Sequence, residues 1–323
     1  MPIAINQETP TKPQWLDSLQ RDGYVVVPGV LPADKALSYA DKAYAWVEDF
    51  GLGYKRDDPS TRTLDKLHFF AKGGLTNRYG VAHEQFIWDI KQEPALIEKF
   101  EQIWGTKELL VSFDGMNVSI PVIGRKEDDD VFKPWAHVDQ SPLIPDLYCV
   151  QGIMNLVPNG PDDGGLMVLK GSAALYSQLF DAFDDVKPER GWNKIDRHNH
   201  TPEQLQWLYD NGCEWHKVCA QPGDLLLWDS RTVHYGATPS AQSDRVAVYC
   251  CYKPAKYADA AAHTRRQDAW EKKLNSSHDP VSFWLVQREV PEDHPTHAIN
   301  VARPLQEPVL TARGRQLIGL DPY

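Results

Sequence analysis

The apolar positions change period about a third of the way along the chain. Before that point they recur at helical spacing. Pro32 opens one such stretch, with Leu37, Ala40, Tyr44 and Val47 in phase. Pro94–Trp104 is a second, with Leu96, Phe100, Ile103 and Trp104 on its stripe and Gly105 placed to cap it. Gly23–Pro28 reads as a short strand. From residue 109 the period falls to two. Leu109–Ile120 puts Met116, Val118 and Ile120 on one face. Asp146–Val157 sets Tyr148, Val150, Met154 and Leu156 against Leu147, Cys149, Gln151, Ile153 and Asn155. Gly165–Leu169, Asp224–Trp228 and Arg245–Tyr252 continue the set, separated by turn sequences such as Asn159–Asp162, Pro222-Gly223 and Thr238–Ser240. A helix interrupts the strands at Thr201-Pro202-Glu203-Gln204, a capping box with proline in the first turn. Residues 1–14 read as a loose tail and Gly51–His83 as a long polar loop. The segment 256–323 is a C-terminal extension, helical to about Leu274 and then irregular. Helices first and antiparallel strands after, without βαβ alternation, predict one α+β domain over 1–323, built on a barrel or sandwich.

Charge and composition narrow the function. Acidic residues outnumber basic ones, 45 to 34, a balance that speaks against a nucleic-acid or anionic-membrane partner. It leaves an anionic small molecule open, since one arginine in a pocket outweighs a distant field. Apolar runs such as Leu225–Trp228 are far shorter than the roughly 20 residues of a membrane span, and the start lacks a secretory pattern. The five cysteines, two of them adjacent, read as reduced thiols of a cytoplasmic protein. Phosphate loops, GxGxxG, GxSxG, HExxH and paired CxxC are missing. The pairs His198/His200 and His294/His297 sit in polar surroundings and read as solvated surface.

Chemistry gathers at three places. His137 and Asp139, two apart on an extended segment, point the same way and can reach one metal ion. His234 follows the apolar run Leu225–Trp228, just before a loop. Two imidazoles and a carboxylate on one face of a metal, with open positions opposite, is the arrangement of non-haem Fe(II) oxygenases. Arg245 lies on the next strand of that hairpin, facing the same way as Ala247 and Tyr249. A guanidinium turned into a barrel needs a carboxylate. Asp229 or Asp244 is the ordinary partner, and a dicarboxylic cosubstrate is the functional one.

With these residues in place, the chain resembles the phytanoyl-CoA dioxygenase (PhyH-like) family of Fe(II)/2-oxoglutarate-dependent dioxygenases. The likeness is carried by His137-Val138-Asp139, His234 and Arg245, and extends to Asp22–Leu31, Asn159–Leu166 and Lys170-Gly171-Ser172. Two positions depart from the family pattern: Ala173 stands where histidine is common, and Val138 where glutamine often separates the ligands. The resemblance implies a double-stranded β-helix (jelly-roll) core with helices packed on one side. It implies Fe(II) held by His137, Asp139 and His234, with 2-oxoglutarate and O2 as cosubstrates and Arg245 on the far carboxylate of the oxoacid. Asn155 falls where the family contacts the oxoacid. Asn117, Gln151 and Trp135 are further candidates for the pocket wall. The expected reaction is oxidation, by hydroxylation, of a small-molecule substrate with release of succinate and CO2.

Other readings compete: a cupin-like metalloprotein that needs no oxoacid, and a silent binding barrel. Substrate choice falls to the Gly51–His83 loop and the extension after Lys256, with His68, Arg78, Tyr79 and His83 as the loop's polar candidates. Substrate identity and oligomeric state have no signature in the sequence.

Overall fold

The computed structural model describes residues 13–124, 133–239, 243–286, 290–299, 303–304 and 306–323. In chain order the elements are α1 (Gln14–Asp22), β1 (Tyr24–Val27), α2 (Ala33–Glu48), β2 (Leu75–Thr76), α3 (Gln85–Lys91), α4 (Pro94–Trp104), β3 (Leu109–Val111), β4 (Met116–Ser119), β5 (His137–Val138), β6 (Val150–Asn155) and β7 (Gly165–Lys170). There follow α5 (Tyr176–Ala182), β8 (His198–Asn199), α6 (Pro202–Asp210), β9 (Glu214–Lys217), β10 (Leu225–Asp229), β11 (His234–Ala237), β12 (Arg245–Tyr249), β13 (Tyr252–Pro254), α7 (Ala260–Glu271) and α8 (Ala312–Ile318).

Local chemistry sets the boundaries. α4 begins with Pro94 in its first turn and ends at Gly105, whose φ of +64° is the left-handed cap position. At α6, Thr201 Oγ1 accepts the Gln204 N–H (3.3 Å) while Gln204 Oε1 accepts the Thr201 N–H (3.0 Å), the reciprocal pair that the sequence predicts.

Among the described residues the strands form two large antiparallel sheets, in the orders β1-β10-β6-β12-β4-β2 and β8-β5-β11-β7-β9, with β3 and β13 as a separate ribbon. The alternation of side chains builds three apolar layers. Leu225 and Leu227 of β10, with Val150 and Met154 of β6, face α2, α3 and α4. Leu226 and Trp228, one residue out of phase, face inward with Ile153 and meet Leu166 and Val168 of the second sheet. Leu169 on the outer face of that sheet packs with Tyr176, Leu179 and Leu208 of α5 and α6. The order is helices, sheet, sheet, helices. Helices therefore cover both sides, where the resemblance placed them on one. Phe100, fully buried in the first layer, marks its scale: truncation of such a ring to alanine costs about 3–5 kcal/mol.

Other expectations are corrected in detail. The loose tail stops short of Gln14, which opens α1, and residues 1–12 of it lie outside the described residues. Leu109–Ile120 is two strands, because the backbone turns away at Ser112–Gly115, where Lys91 Nζ collects the Ser112 and Asp114 carbonyls at 2.9 and 2.8 Å. The short helices α3, α5 and α8 carry too few turns to show a clear stripe. Gly51–His83 is irregular, as predicted, but it is not a polar surface loop. His68, Tyr79 and His83 are buried, and His68 and Tyr79 join Trp46 and Phe50 in an aromatic cluster. His198 and His200 are also drawn inward: His198 bonds Gln204 (2.8 Å), and burial pushes the His200 imidazole down to about 3.

The extension is tied into the body by one buried cation. Arg266 of α7 donates to the carbonyls of Ile318, Pro280, Val111 and Leu317 at 3.0, 2.7, 2.8 and 3.0 Å. Among the described residues no helix is long and apolar enough to cross a membrane.

Candidate metal centre

Strand pairing brings the two histidines together. His234, the first residue of β11, is the antiparallel partner of His137 on β5, and both side chains enter the space between the sheets. Their rings lie 4.3 Å apart. Asp139 follows β5 by one residue, so its carboxylate returns to the same side. Ligand atoms of His137, Asp139 and His234 all lie within 4.8 Å of one another. His137 Nε2 is 3.6 Å from Asp139 Oδ1, and His234 Nε2 is 3.3 Å from Asp139 Oδ2.

The tautomers follow from the backbone. His137 Nδ1 lies 2.8 Å from the Trp135 carbonyl, and His234 Nδ1 lies 2.9 Å from the Thr232 carbonyl. A carbonyl only accepts, so each Nδ1 carries the proton and each Nε2 presents a lone pair. Burial, together with the adjacent His234, pushes the His137 imidazole down to about 4, so it is neutral at pH 7. Burial opposes charge on Asp139, yet the surrounding His278, His137 and His234 outweigh it and hold the carboxyl well below the usual range. The hollow is lined by two lone pairs and an anion. Such an acceptor-only site fits a divalent cation of borderline hardness, and Fe(II) among them.

The supporting shell is specific. Gln151 on β6 donates to Asp139 Oδ2 (3.0 Å) and to Ser230 Oγ (3.3 Å), which makes it a brace for the carboxylate. Trp135 stacks on His137 with ring planes 13° apart. Its indole is wedged between Gly73 and Gly236, where a Cβ would approach Cη2 to 2.7 and 3.4 Å. Asn117 donates to the Gly73 carbonyl (2.6 Å) and accepts from Ser119 Oγ (2.8 Å), pinning that glycine loop to β4.

Arg245, the first residue of β12, is buried and registered against Ser119 of β4. Neither expected protein partner reaches it. Asp229 is taken by Arg231 (2.6 Å), and Asp244 by Arg62 (2.7 Å) and Tyr44 (3.1 Å). Among the described residues Arg245 has no ion-pair partner. Asn155, the other residue expected at the oxoacid, spends its amide nitrogen on the carbonyls of Val157 (2.6 Å) and Gln221 (3.0 Å) and so braces a turn. His83 is not brought to the metal hollow: its ring packs on Phe113 and Trp270, and its Nε2 lies 2.9 Å from the Leu274 carbonyl.

Three neighbours were not anticipated. His278, from the extension, places Nδ1 3.8 Å from Asp139 Oδ2. Asp114, in the break between β3 and β4, is raised by burial against the opposing charge of Lys91. Lys217 ends β9 beside Arg245, and burial lowers its ammonium to about 8. An acid inside an apolar run was the one available signal, and it belonged to Asp114. The other two arrive by tertiary wrapping alone.

Comparison with known proteins agrees with this geometry. The chain is 35% identical over 277 residues to Ava biosynthesis cluster protein O of Aspergillus versicolor, covering 84% of this chain and 87% of that protein. Its fold is similar to that of the non-heme alpha ketoglutarate dependent epimerase SnoN from nogalamycin biosynthesis, with a TM-score of 0.50 at 17% identity, over 93% of this chain and 95% of that one. Residues 19–247 match the phytanoyl-CoA dioxygenase (PhyH) family. The chain therefore belongs to that family and is a non-haem iron, 2-oxoglutarate-dependent oxygenase.

Proposed function

We propose that the chain is a single catalytic domain with a double-stranded β-helix core that hydroxylates a small molecule, with His137, Asp139 and His234 as its metal ligands. The observation that carries the assignment is the pair of Nε2 lone pairs turned toward the Asp139 carboxylate, each fixed by a backbone carbonyl behind it. Bound there, Fe(II) supplies the oxidation, with O2 as oxidant and 2-oxoglutarate decarboxylated to succinate and CO2. The chain's own residues do the positioning. Gln151 fixes the carboxylate rotamer, Trp135 fixes the plane of His137, and Arg245 receives the distal carboxylate of the cosubstrate.

The prime substrate enters beside Asp139. A cleft opens there, lined by Gln140, Tyr148, Lys194, His278, Ser282 and Trp284. Its wall mixes the rings of Tyr148 and Trp284 with several polar side chains. His278, Asp279, Ser282 and Trp284 belong to the extension, so 256–323 acts as part of the catalytic unit. A reducing cytoplasm accords with five free cysteines, of which Cys149 and Cys251 hold their sulfurs 3.4 Å apart unjoined.

The test is spectroscopic. Anaerobic protein with Fe(II) and 2-oxoglutarate should give a visible charge-transfer band, and His137→Ala should abolish both the band and succinate formation. Full turnover by that variant would falsify the assignment. Hydroxylation is read separately, as a mass gain of one oxygen in a metabolite extract incubated with enzyme, iron, ascorbate and oxoacid.

A further inference from the structure

We propose that Lys217 is a second anchor, beside Arg245, for the distal carboxylate of the cosubstrate; this rests on Arg245 holding that group. The observation is the convergence of two cations at Gly165. A Cβ built on this glycine would lie 3.0 Å from Asn159 Oδ1, 3.2 Å from Arg245 Nε and 3.3 Å from Lys217 Nζ, tighter than ordinary packing, so the bare glycine is what lets the two cations come this close to each other. Gly165 sits at φ +144°, where an L side chain is strained as well as crowded.

Lys217 starts on the edge strand β9, paired with Met167 of β7, and its ammonium reaches round the end of the sheet to this point. It donates to Asn159 Oδ1 (2.6 Å) and to the Val218 carbonyl (3.1 Å). An ammonium has three protons, and the third has no partner among the described residues. Asn159 is held from the other side, where its amide nitrogen donates to the Gly164 carbonyl (2.6 Å). The turn Asn159–Gly165 thus presents the lysine in a fixed position.

The electrostatics call for an anion. Asp163, the acid of this turn, accepts the Gly160 N–H at 2.6 Å. Among the described residues neither Lys217 nor Arg245 forms an ion pair. Two cations withdrawn from water beside each other repel, and a carboxylate held by both relieves that repulsion. A dicarboxylic oxoacid supplies that carboxylate while its other end chelates the metal. A monocarboxylic oxoacid leaves the two cations facing each other.

The experiment is calorimetric titration of the Mn(II)-loaded full chain, which binds cosubstrate without turning over. Two ligands are compared: 2-oxoglutarate, and oxalate, which can chelate the metal but has no distal arm. Lys217→Met should weaken 2-oxoglutarate about tenfold or more and leave oxalate unchanged. Lys217→Gln keeps a donor for Asn159 and should show the same loss, which supports the charge as the cause and carries the test if the methionine variant fails to fold. Wild-type 2-oxoglutarate affinity in the folded variants overturns the proposal. So does an equal loss for both ligands, since that places the damage at the metal. Arg245→Gln separates the two levels: unchanged 2-oxoglutarate affinity there removes the cosubstrate site itself, whereas a loss confined to Arg245→Gln removes only the role of Lys217.

Discussion

The two ends of the space between the sheets are opposites in hydrogen-bonding character. Around Asp139 the protein offers acceptors, two imidazole lone pairs and a carboxylate, and the Nδ1 proton of each imidazole is spent on a backbone carbonyl behind it. Around Gly165 it offers donors, a guanidinium and an ammonium, and among the described residues neither forms an ion pair. Each end is electrostatically unfinished alone, and each names the charge that completes it: a cation for the first, an anion for the second. On the proposed reading, a single chelating dicarboxylate would join the two demands.

The contrast can be broken from either side. The largest effect is expected at the acceptor end, where Asp139→Ala should lower succinate formation by at least about a thousandfold and release the metal, measured by metal content after desalting. At the donor end, Arg245→Gln should raise the dissociation constant for 2-oxoglutarate about a hundredfold while metal content stays at the wild-type level; loss of metal in that variant would mean the two ends are not separable. Smaller again is Gln151→Leu. Without its 3.0 Å bond the carboxylate of Asp139 is free to rotate, and metal affinity should fall about tenfold with the oxoacid affinity of the loaded protein unchanged.

The smallest effect sharpens the comparison from outside it. His68 is buried in the aromatic wall, far down at about 3 against an ordinary 6.5. The unfolded chain therefore takes up this proton first, between pH 6.5 and 3, and stability falls as pH falls through that window. The slope is about 1.4 kcal/mol per pH unit for this one group. His68→Phe should reduce the slope of unfolding free energy against pH by that amount, measured by denaturant titration at pH 6 and pH 5. An unchanged slope would put the acid sensitivity elsewhere.

The acceptor end was legible in the sequence and the donor end only in part. His137 and Asp139 could be read because period-two geometry fixes which residues share a face. The hairpin expected to set Arg245 beside His234 does not form: β11 pairs with β5 and β7 in one sheet and β12 with β4 and β6 in the other, so the two residues meet across the space between sheets. Lys217 could not be read, because its backbone position on an edge strand says nothing of where a four-carbon stem ends. His278 lies beyond the residues that match the family and reaches Asp139 through an irregular segment without periodicity. The helices α2, α4 and α6 announced themselves through caps and stripes, while α3 and α5, at seven residues each, were too short to do so. Asn155 and His83 are polar residues in suggestive places where the Asn155 amide nitrogen and the His83 Nε2 meet backbone carbonyls.

Arg266 has a consequence for how the chain can be divided. Its guanidinium gathers carbonyls from β3, from the stretch at Pro280 and from α8, so three distant segments share a single fastening. The stretch at Pro280 follows His278 by two residues, and the fastening therefore sets the outer wall of the cleft beside Asp139. Trimming the protein to its family-matched portion would discard the rivet along with the wall.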